Sequence, residues 1–250
     1  MDVYFHLSTV VDYDRLCQTS ESLANDNLRI TVSGVVMEQP ILKSIQVGLP
    51  TTYVQRNAGD QQNAAWTTGF FKKPVVGSVH VGKTNIEGDR QDNLSVHGGI
   101  DKAVCAYSAD HYVTWQTLLE MAELPYGAFG ENLTVANLTE KDVCIGDVFQ
   151  CGEVQFEVSQ PRQPCWKLAR RWQMKELPEL VVKFGWSGWY FRVLEEGSLK
   201  AGNHFELVTR RYPQWTVQQA NSVFHGKDLL QRDNLAALSE LSESWKSLLF

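Results

Sequence analysis

No stretch of this 250-residue chain is apolar for long enough to cross a bilayer, and the opening run Met1-Asp2-Val3-Tyr4-Phe5-His6-Leu7 lacks the basic region and sustained apolar run of a secretion signal. These absences lead us to expect a soluble, cytoplasmic protein with no membrane partner. Cysteine is scarce as well: there are five, at 17, 105, 144, 151 and 165, an odd set without a C-x-x-C pair. That argues against a disulfide framework or a structural zinc site and fits a reducing compartment. The chain has no G-x-x-x-x-G-K-[ST] loop, no H-E-x-x-H helix and no G-x-G-x-x-G turn after a strand, so nucleotide hydrolysis, zinc proteolysis and dinucleotide binding lose support. Flavin, haem and iron–sulfur motifs are also missing. Positive charge is not in excess: 23 Lys and Arg against 29 Asp and Glu leave a net charge of −6. Attraction of the whole surface to nucleic acid is therefore not expected, and an anionic ligand would need a local basic pocket.

What is present is ordinary globular material. Hydrophobic residues make up 43% of the chain and charged residues 21%, and eight tryptophans with eleven phenylalanines supply large core side chains. Residues 1–29, polar towards their end, read as an N-terminal extension. Short β-prone segments follow at 30–37, 43–49, 66–71, 75–81, 103–107, 147–151, 154–159, 189–195 and 205–209, separated by Gly, Pro, Asn and Asp. Their spacing predicts a mainly β fold, a sandwich or barrel, over residues 30–212. In one of them Val154, Phe156 and Val158 alternate with Gln155, Glu157 and Ser159, the period of a strand with one buried face. Helices are expected over 109–121, burying Tyr112, Trp115 and Leu119, and over 176–184. After Pro213 the pattern changes. Thr216-Val217-Gln218-Gln219 resembles a capping box, and the apolar groups that follow predict three short helices over 213–250, which must pack on each other or on the barrel.

The stretch Ser159-Gln160-Pro161-Arg162-Gln163-Pro164-Cys165-Trp166-Lys167-Leu168 carries the strongest chemical signal. Two prolines fix φ and remove backbone donors, so an ordered turn presents Cys165 at the start of a short helix with Leu168 and Trp172 on its apolar side. A helix N-terminus and the nearby Arg162, Lys167, Arg170 and Arg171 favour thiolate, the form that attacks electrophiles or binds soft metals. The plain alternative is an inert, buried cysteine. Three more clusters stand out. Glu87-Gly88-Asp89-Arg90-Gln91 reads as a turn delivering Arg90, and Val96-His97-Gly98-Gly99-Ile100-Asp101-Lys102 joins an imidazole, two glycines and a cation. Together they suit an oxyanion, although each alone is a common turn. In Gly130-Glu131-Asn132-Leu133, which enters a strand, Asn132 either binds a heterocycle edge or closes a turn.

Taken in order, Gly88-Asp89-Arg90-Gln91, Val96-His97-Gly98-Gly99, Asp101-Lys102-Ala103-Val104, Gly130-Glu131-Asn132-Leu133, Gly146-Asp147 and the Pro161-to-Leu168 stretch resemble the MOSC domain, named from the C-terminal domain of molybdenum cofactor sulfurases. The likeness is to the stand-alone bacterial YiiM type, in which a small three-helix domain follows. The resemblance implies a MOSC-type β-barrel, similar to the pyruvate kinase barrel, with inserted helices and a C-terminal helical domain at 213–250. It also implies a molybdenum cofactor, a pterin dithiolene with a phosphate, with Cys165 as the metal ligand and Arg90, His97, Lys102, Asn132, Arg162 and Lys167 around the cofactor. By the same resemblance the activity is reduction of N-hydroxylated compounds, such as hydroxylaminopurine bases, to amines. His97 or a pocket water would relay protons, and an external, flavin-dependent reductase would supply electrons. Pyridoxal phosphate, which some relatives carry on another domain, is not expected. A competing function is a carrier that holds sulfur as a persulfide on Cys165, or holds the cofactor itself for delivery.

Overall fold

Alternating apolar residues and closely spaced glycines build many short strands. The protein is seen in a computed structural model that describes residues 38–55, 64–94, 97–226 and 229–250. The extension 1–29 and the strand expected at 30–37 lie outside the described residues. The strands are β1 (Ile41–Val47), β2 (Thr51–Gln55), β3 (Ala64–Thr68), β4 (Lys73–Pro74), β5 (Ser78–Val81), β6 (Val104–Ser108), β7 (Leu133–Ala136), β8 (Val148–Cys151), β9 (Val154–Pro161), β10 (Trp189–Glu195), β11 (Gly197–Lys200) and β12 (Glu206–Thr209). The helices are α1 (Tyr112–Leu118), α2 (Trp166–Trp172), α3 (Leu177–Phe184), α4 (Val217–His225), α5 (Leu229–Ala236) and α6 (Glu243–Lys246), with a short 3-10 turn at Ile100–Lys102 and another at Ala109–His111.

Eight strands form one sheet in the order β12-β8-β9-β10-β6-β7-β1-β4, antiparallel except for the β6–β7 pair. The sheet curls far enough for the segment before β12 to bond to the start of β1. Just before β12, Phe205 N donates to Pro40 O at 2.9 Å, and Leu42 N in β1 donates to Asn203 O at 2.9 Å. This half-barrel surrounds a core of Leu42, Ile45, Val104, Leu133, Phe149, Phe156, Phe191 and Phe205. The Phe156, Phe191 and Phe205 rings pack with centroids 4.9–6.2 Å apart, two pairs stacked and the Phe156–Phe191 pair tilted, a packing that adds to the burial of their area. A second apolar cluster, with Tyr107, Trp115, Phe129, Leu168, Leu177 and Val181, joins α1, α2 and α3 beneath the Cys165 turn.

The expected mainly β class is what the structure shows, and the helix expected over 109–121 is a 3-10 turn running into α1, with Tyr112, Trp115 and Leu119 buried. Thr216 caps α4 by accepting from Gln219 N at 3.0 Å, as the capping box predicts. The segments at 66–71 and 75–81 are shorter strands than expected, 64–68 and 78–81. Strand β9 departs from the one-faced pattern, since Glu157 and Ser159 are buried along with Phe156 and Val158. Arg192 bonds the Glu157 carboxylate, Ser159 O accepts from Ser242 N at 3.0 Å, and the C-terminal helices cover what would be the solvent face. The apolar side chains Leu235, Leu238, Leu241, Trp245 and Leu249 belong to the same buried cluster as the barrel interior.

Candidate functional site

Strand β9 runs out at Pro161, and the chain turns through Arg162 and Pro164 to place Cys165 at the N-cap of α2 in an extended conformation, φ −109° and ψ 163°. The thiol is half-buried and faces a pocket whose walls include Arg90, His97, Lys102, Asn132, Arg162 and Lys167. The residues that the resemblance implies around the cofactor thus line one cavity with Cys165, whereas Arg170 lies over the Trp66 ring and Arg171 donates to Gly127 O at 2.7 Å, both outside that lining. Lys72, Phe70, Cys105 and Tyr190 line the cavity too and were not anticipated.

Each arm of the pocket is fixed by framework bonds. Asp89, fully buried, accepts from Gly48 N at 2.8 Å and pairs with Lys72, so the Gly88-Asp89 turn holds a second cation at the wall while Arg90 extends beyond it. Arg90 N donates to Gly48 O at 2.9 Å, and its exposed guanidinium has no partner among the described residues. Gly69 packs flat on that turn; a Cβ there would lie 2.3 Å from Arg90 O. Lys102 ends the 3-10 turn at Ile100–Lys102, and Asp101 beside it is tied to Arg192 Nε at 2.8 Å. Burial lowers the Lys102 pKa, with Asp101 opposing the shift.

Gly130-Glu131-Asn132 is structural wiring at the cavity wall. Gly130 has φ +80°, and any Cβ would meet the Phe70 ring at 2.5 Å, so both the backbone and the neighbour require glycine. The buried Glu131 carboxylate accepts from Gly127 N at 2.7 Å, Phe129 N at 3.1 Å, Thr134 Oγ1 at 2.9 Å and the Tyr112 hydroxyl. Asn132 neither closes a turn nor holds its amide free for a heterocycle. Its Oδ1 accepts from Cys105 N at 3.1 Å and its Nδ2 donates to Gln46 O at 3.1 Å, splicing β1 to β6.

The cations differ in their engagement. Arg162 is buried, with Nη2 donating to Phe129 O at 2.6 Å and Nη1 to Ser187 O at 3.5 Å. Burial disfavours its charge, but Cys105, Tyr190, Cys165 and Glu131 around it outweigh that and hold its pKa above the usual value. Lys167, also buried, pairs with Asp92 at 2.5 Å. His97 is half-buried, and its pKa is lowered first by burial and then by the positive charges of Lys167, Lys102 and Arg162, against the opposing pull of Asp92. The imidazole is therefore neutral at neutral pH and able to hold or pass a proton. Cys105 shares the wall, yet burial pushes its thiol up to about 11, which leaves it protonated.

Lys72 was beyond local reading because nothing marks it within Phe70-Phe71-Lys72-Lys73; the available signal was Asp89, whose buried charge requires a partner. Cys105 and Tyr190 enter the wall only through the pairing of β6 with β10, where Tyr190 lies opposite Cys105.

The fold has counterparts among known proteins. Residues 93–206 match the MOSC domain. The chain is 47% identical over 182 residues to the YflK protein of Bacillus subtilis, a span covering 72% of this chain and 82% of that protein. It is 35% identical over 171 residues to a protein of Gibberella moniliformis named "Reductase", covering 65% of this chain and 29% of that one. The crystal structure of YiiM from Geobacillus stearothermophilus superposes with a TM-score of 0.70 at 35% identity, over 84% of this chain and 97% of that one. This protein therefore belongs to the MOSC domain family, alongside YiiM.

Proposed function

We propose that this protein is a molybdenum-cofactor oxidoreductase that reduces N-hydroxylated compounds, hydroxylaminopurine-type bases among them, to the amines. The observation that carries this reading is the gathering of five cationic side chains, Lys72, Arg90, Lys102, Arg162 and Lys167, around one half-buried thiol in a chain of net charge −6.

The donor set suits a metal that arrives with ligands of its own. Among the described residues no group of three His, Cys, Asp or Glu side chains could hold a bare ion, so Cys165 would be the protein's single soft ligand to a pterin-bound metal. Arg90, with no competing partner among the described residues, and Lys102 would offset the pterin phosphate, while Lys167 shares its charge with Asp92. Arg162 contributes charge more than a free fork, because two of its nitrogens are engaged with backbone carbonyls. Asn132 keeps the wall in register. When bound, the cofactor supplies two-electron chemistry at molybdenum, and the overall reaction is R–NHOH + 2e⁻ + 2H⁺ → R–NH₂ + H₂O. His97, neutral at rest, would take and pass one of those protons. A separate flavin-dependent reductase would supply the electrons, in the cytoplasm.

The test is molybdenum and pterin content of the protein and of Cys165→Ala, both from a host that makes the cofactor. Near-stoichiometric metal that is lost in the variant, with turnover of hydroxylaminopurine when a flavin reductase is added, is the expected result. Absence of both metal and pterin from the parent protein would overturn it, and cyanide-releasable sulfur on Cys165 would then assign a carrier.

A further inference from the structure

We propose that the C-terminal helices hold the Cys165 turn in its working position, with Asn221 of α4 and Ser242 at the start of α6 as positioning residues. The turn has little backbone support of its own. Pro161 and Pro164 have no N–H to donate, and among the described residues neither Gln163 nor Cys165 donates a backbone hydrogen bond. Only Arg162 N is engaged, with Gly188 O at 3.0 Å. A segment that presents a reactive atom yet lacks ladder bonds must be fixed from outside.

The fixing comes from residues more than fifty positions further along the chain. At the strand end, Ser242 N donates to Ser159 O at 3.0 Å, and Ser242 Oγ donates to Gln160 Oε1 at 2.6 Å. Gln160 in turn reaches Pro161 O at 3.3 Å through its Nε2. At the apex, Gln163 Nε2 donates to Asn221 Oδ1 at 3.4 Å, and Asn221 Nδ2 donates to Ser187 Oγ at 2.8 Å. Ser187 O lies 3.5 Å from Arg162 Nη1, so the same relay meets the buried guanidinium on the pocket wall. Asn221 is buried, facing a small cavity behind the turn that Gln163, Pro164, Val181 and Ser187 also line. A buried amide that bonds to two loops at once is expensive to misplace. The helices thus grip the turn on both sides of Pro161, which gives them a part in the site although, among the described residues, they contribute no side chain to the pocket wall.

The inference relies on the proposed function only for the importance of Cys165, and its test needs neither metal nor substrate. The full chain, made in a host that lacks the pterin cofactor, is treated with iodoacetamide, and the rate at Cys165 is read peptide by peptide. That separates it from Cys17 and from the buried Cys105, Cys144 and Cys151. Asn221→Ala should change the Cys165 rate by roughly fivefold, the population shift that losing a modest hydrogen bond allows, and raise amide exchange over residues 160–167. Asn221→Asp keeps the acceptor facing Gln163 but loses the donor to Ser187 Oγ, so its rate should fall between those of the parent and Asn221→Ala. Ser222→Ala, on the exposed face of the same helix, should leave it alone. An unchanged Cys165 rate in folded Asn221→Ala, or loosening spread evenly over all peptides, would overturn the proposal. Should Asn221→Ala fail to fold, Gln163→Ala removes the other partner of that bond and must reproduce the rate change; a parent-like rate there sinks the idea.

Discussion

His97 shows how a single side chain reports the field of the whole pocket. Burial and three cations favour its neutral form, and only Asp92 pulls the other way. Lys167→Met removes a nearby positive charge and frees Asp92 from its partner, and both changes act in one direction. The His97 pKa should therefore rise towards its ordinary 6.5, read as the midpoint of its ring-proton shift by NMR. A midpoint that stays put would mean that burial alone sets it. The sign also fixes a stability effect. Below pH 6.5 the unfolded chain binds the proton more readily than the folded one, so the contribution of His97 is intact above 6.5 and is lost as pH falls through the lower folded value. An anion bound among these cations would raise the same midpoint, which makes His97 a built-in indicator of occupancy.

At the scale of elements, the site is a set of turns hung on strands, and Glu131 organises one of them. Its carboxylate accepts from two backbone N–H groups and two hydroxyls, all buried. Glu131→Gln would set an amide NH₂ against one of those donors at almost unchanged shape, and a buried donor left without an acceptor costs about 2–3 kcal/mol. We expect a loss of that size in urea unfolding, with weaker anchoring of Arg162 through Phe129 O; a change below about 0.5 kcal/mol would place the turn's stability elsewhere. This element also shows what the sequence makes legible. Gly130-Glu131-Asn132 is visible as a motif because its residue types are unusual before a strand, but its work is not, since Asn132 acts on Gln46, 86 residues away, and on Cys105, 27 away. The Cys165 turn is legible because prolines and a capping position act locally. Strand β11, four residues pairing with β5 across more than a hundred positions, has no local signature at all. Strand β2, Thr-Thr-Tyr-Val-Gln, carried β-branched residues that could have revealed it. Convergence of the cationic residues could be expected only from the resemblance, because spacing alone does not say which turns meet.

At the scale of the molecule, charge and packing point to one cooperative body. The chain is acidic as a whole, yet five of its 23 Lys and Arg residues line one pocket, so the fields oppose each other and the pocket attracts anions only at short range, within the Debye length of about 8 Å at physiological ionic strength. Packing binds the C-terminal helices to the barrel. Trp245 is fully buried against Phe224, with ring centroids 5.0 Å apart, inside the same apolar cluster as Phe156 and Phe191. A helical segment this short has too little area to stand alone, so its free energy should be inseparable from that of the sheet it covers. Tryptophan fluorescence and far-UV circular dichroism should then report one coincident unfolding transition. Trp245→Ala should lower that single transition by about 3–5 kcal/mol, the usual cost of emptying a large aromatic site, and leave the two signals superimposed. Two separated transitions, with the barrel signal unmoved by the substitution, would make residues 213–250 an independent unit resting on the barrel. They would also remove the mechanical link by which these helices are argued to brace Cys165.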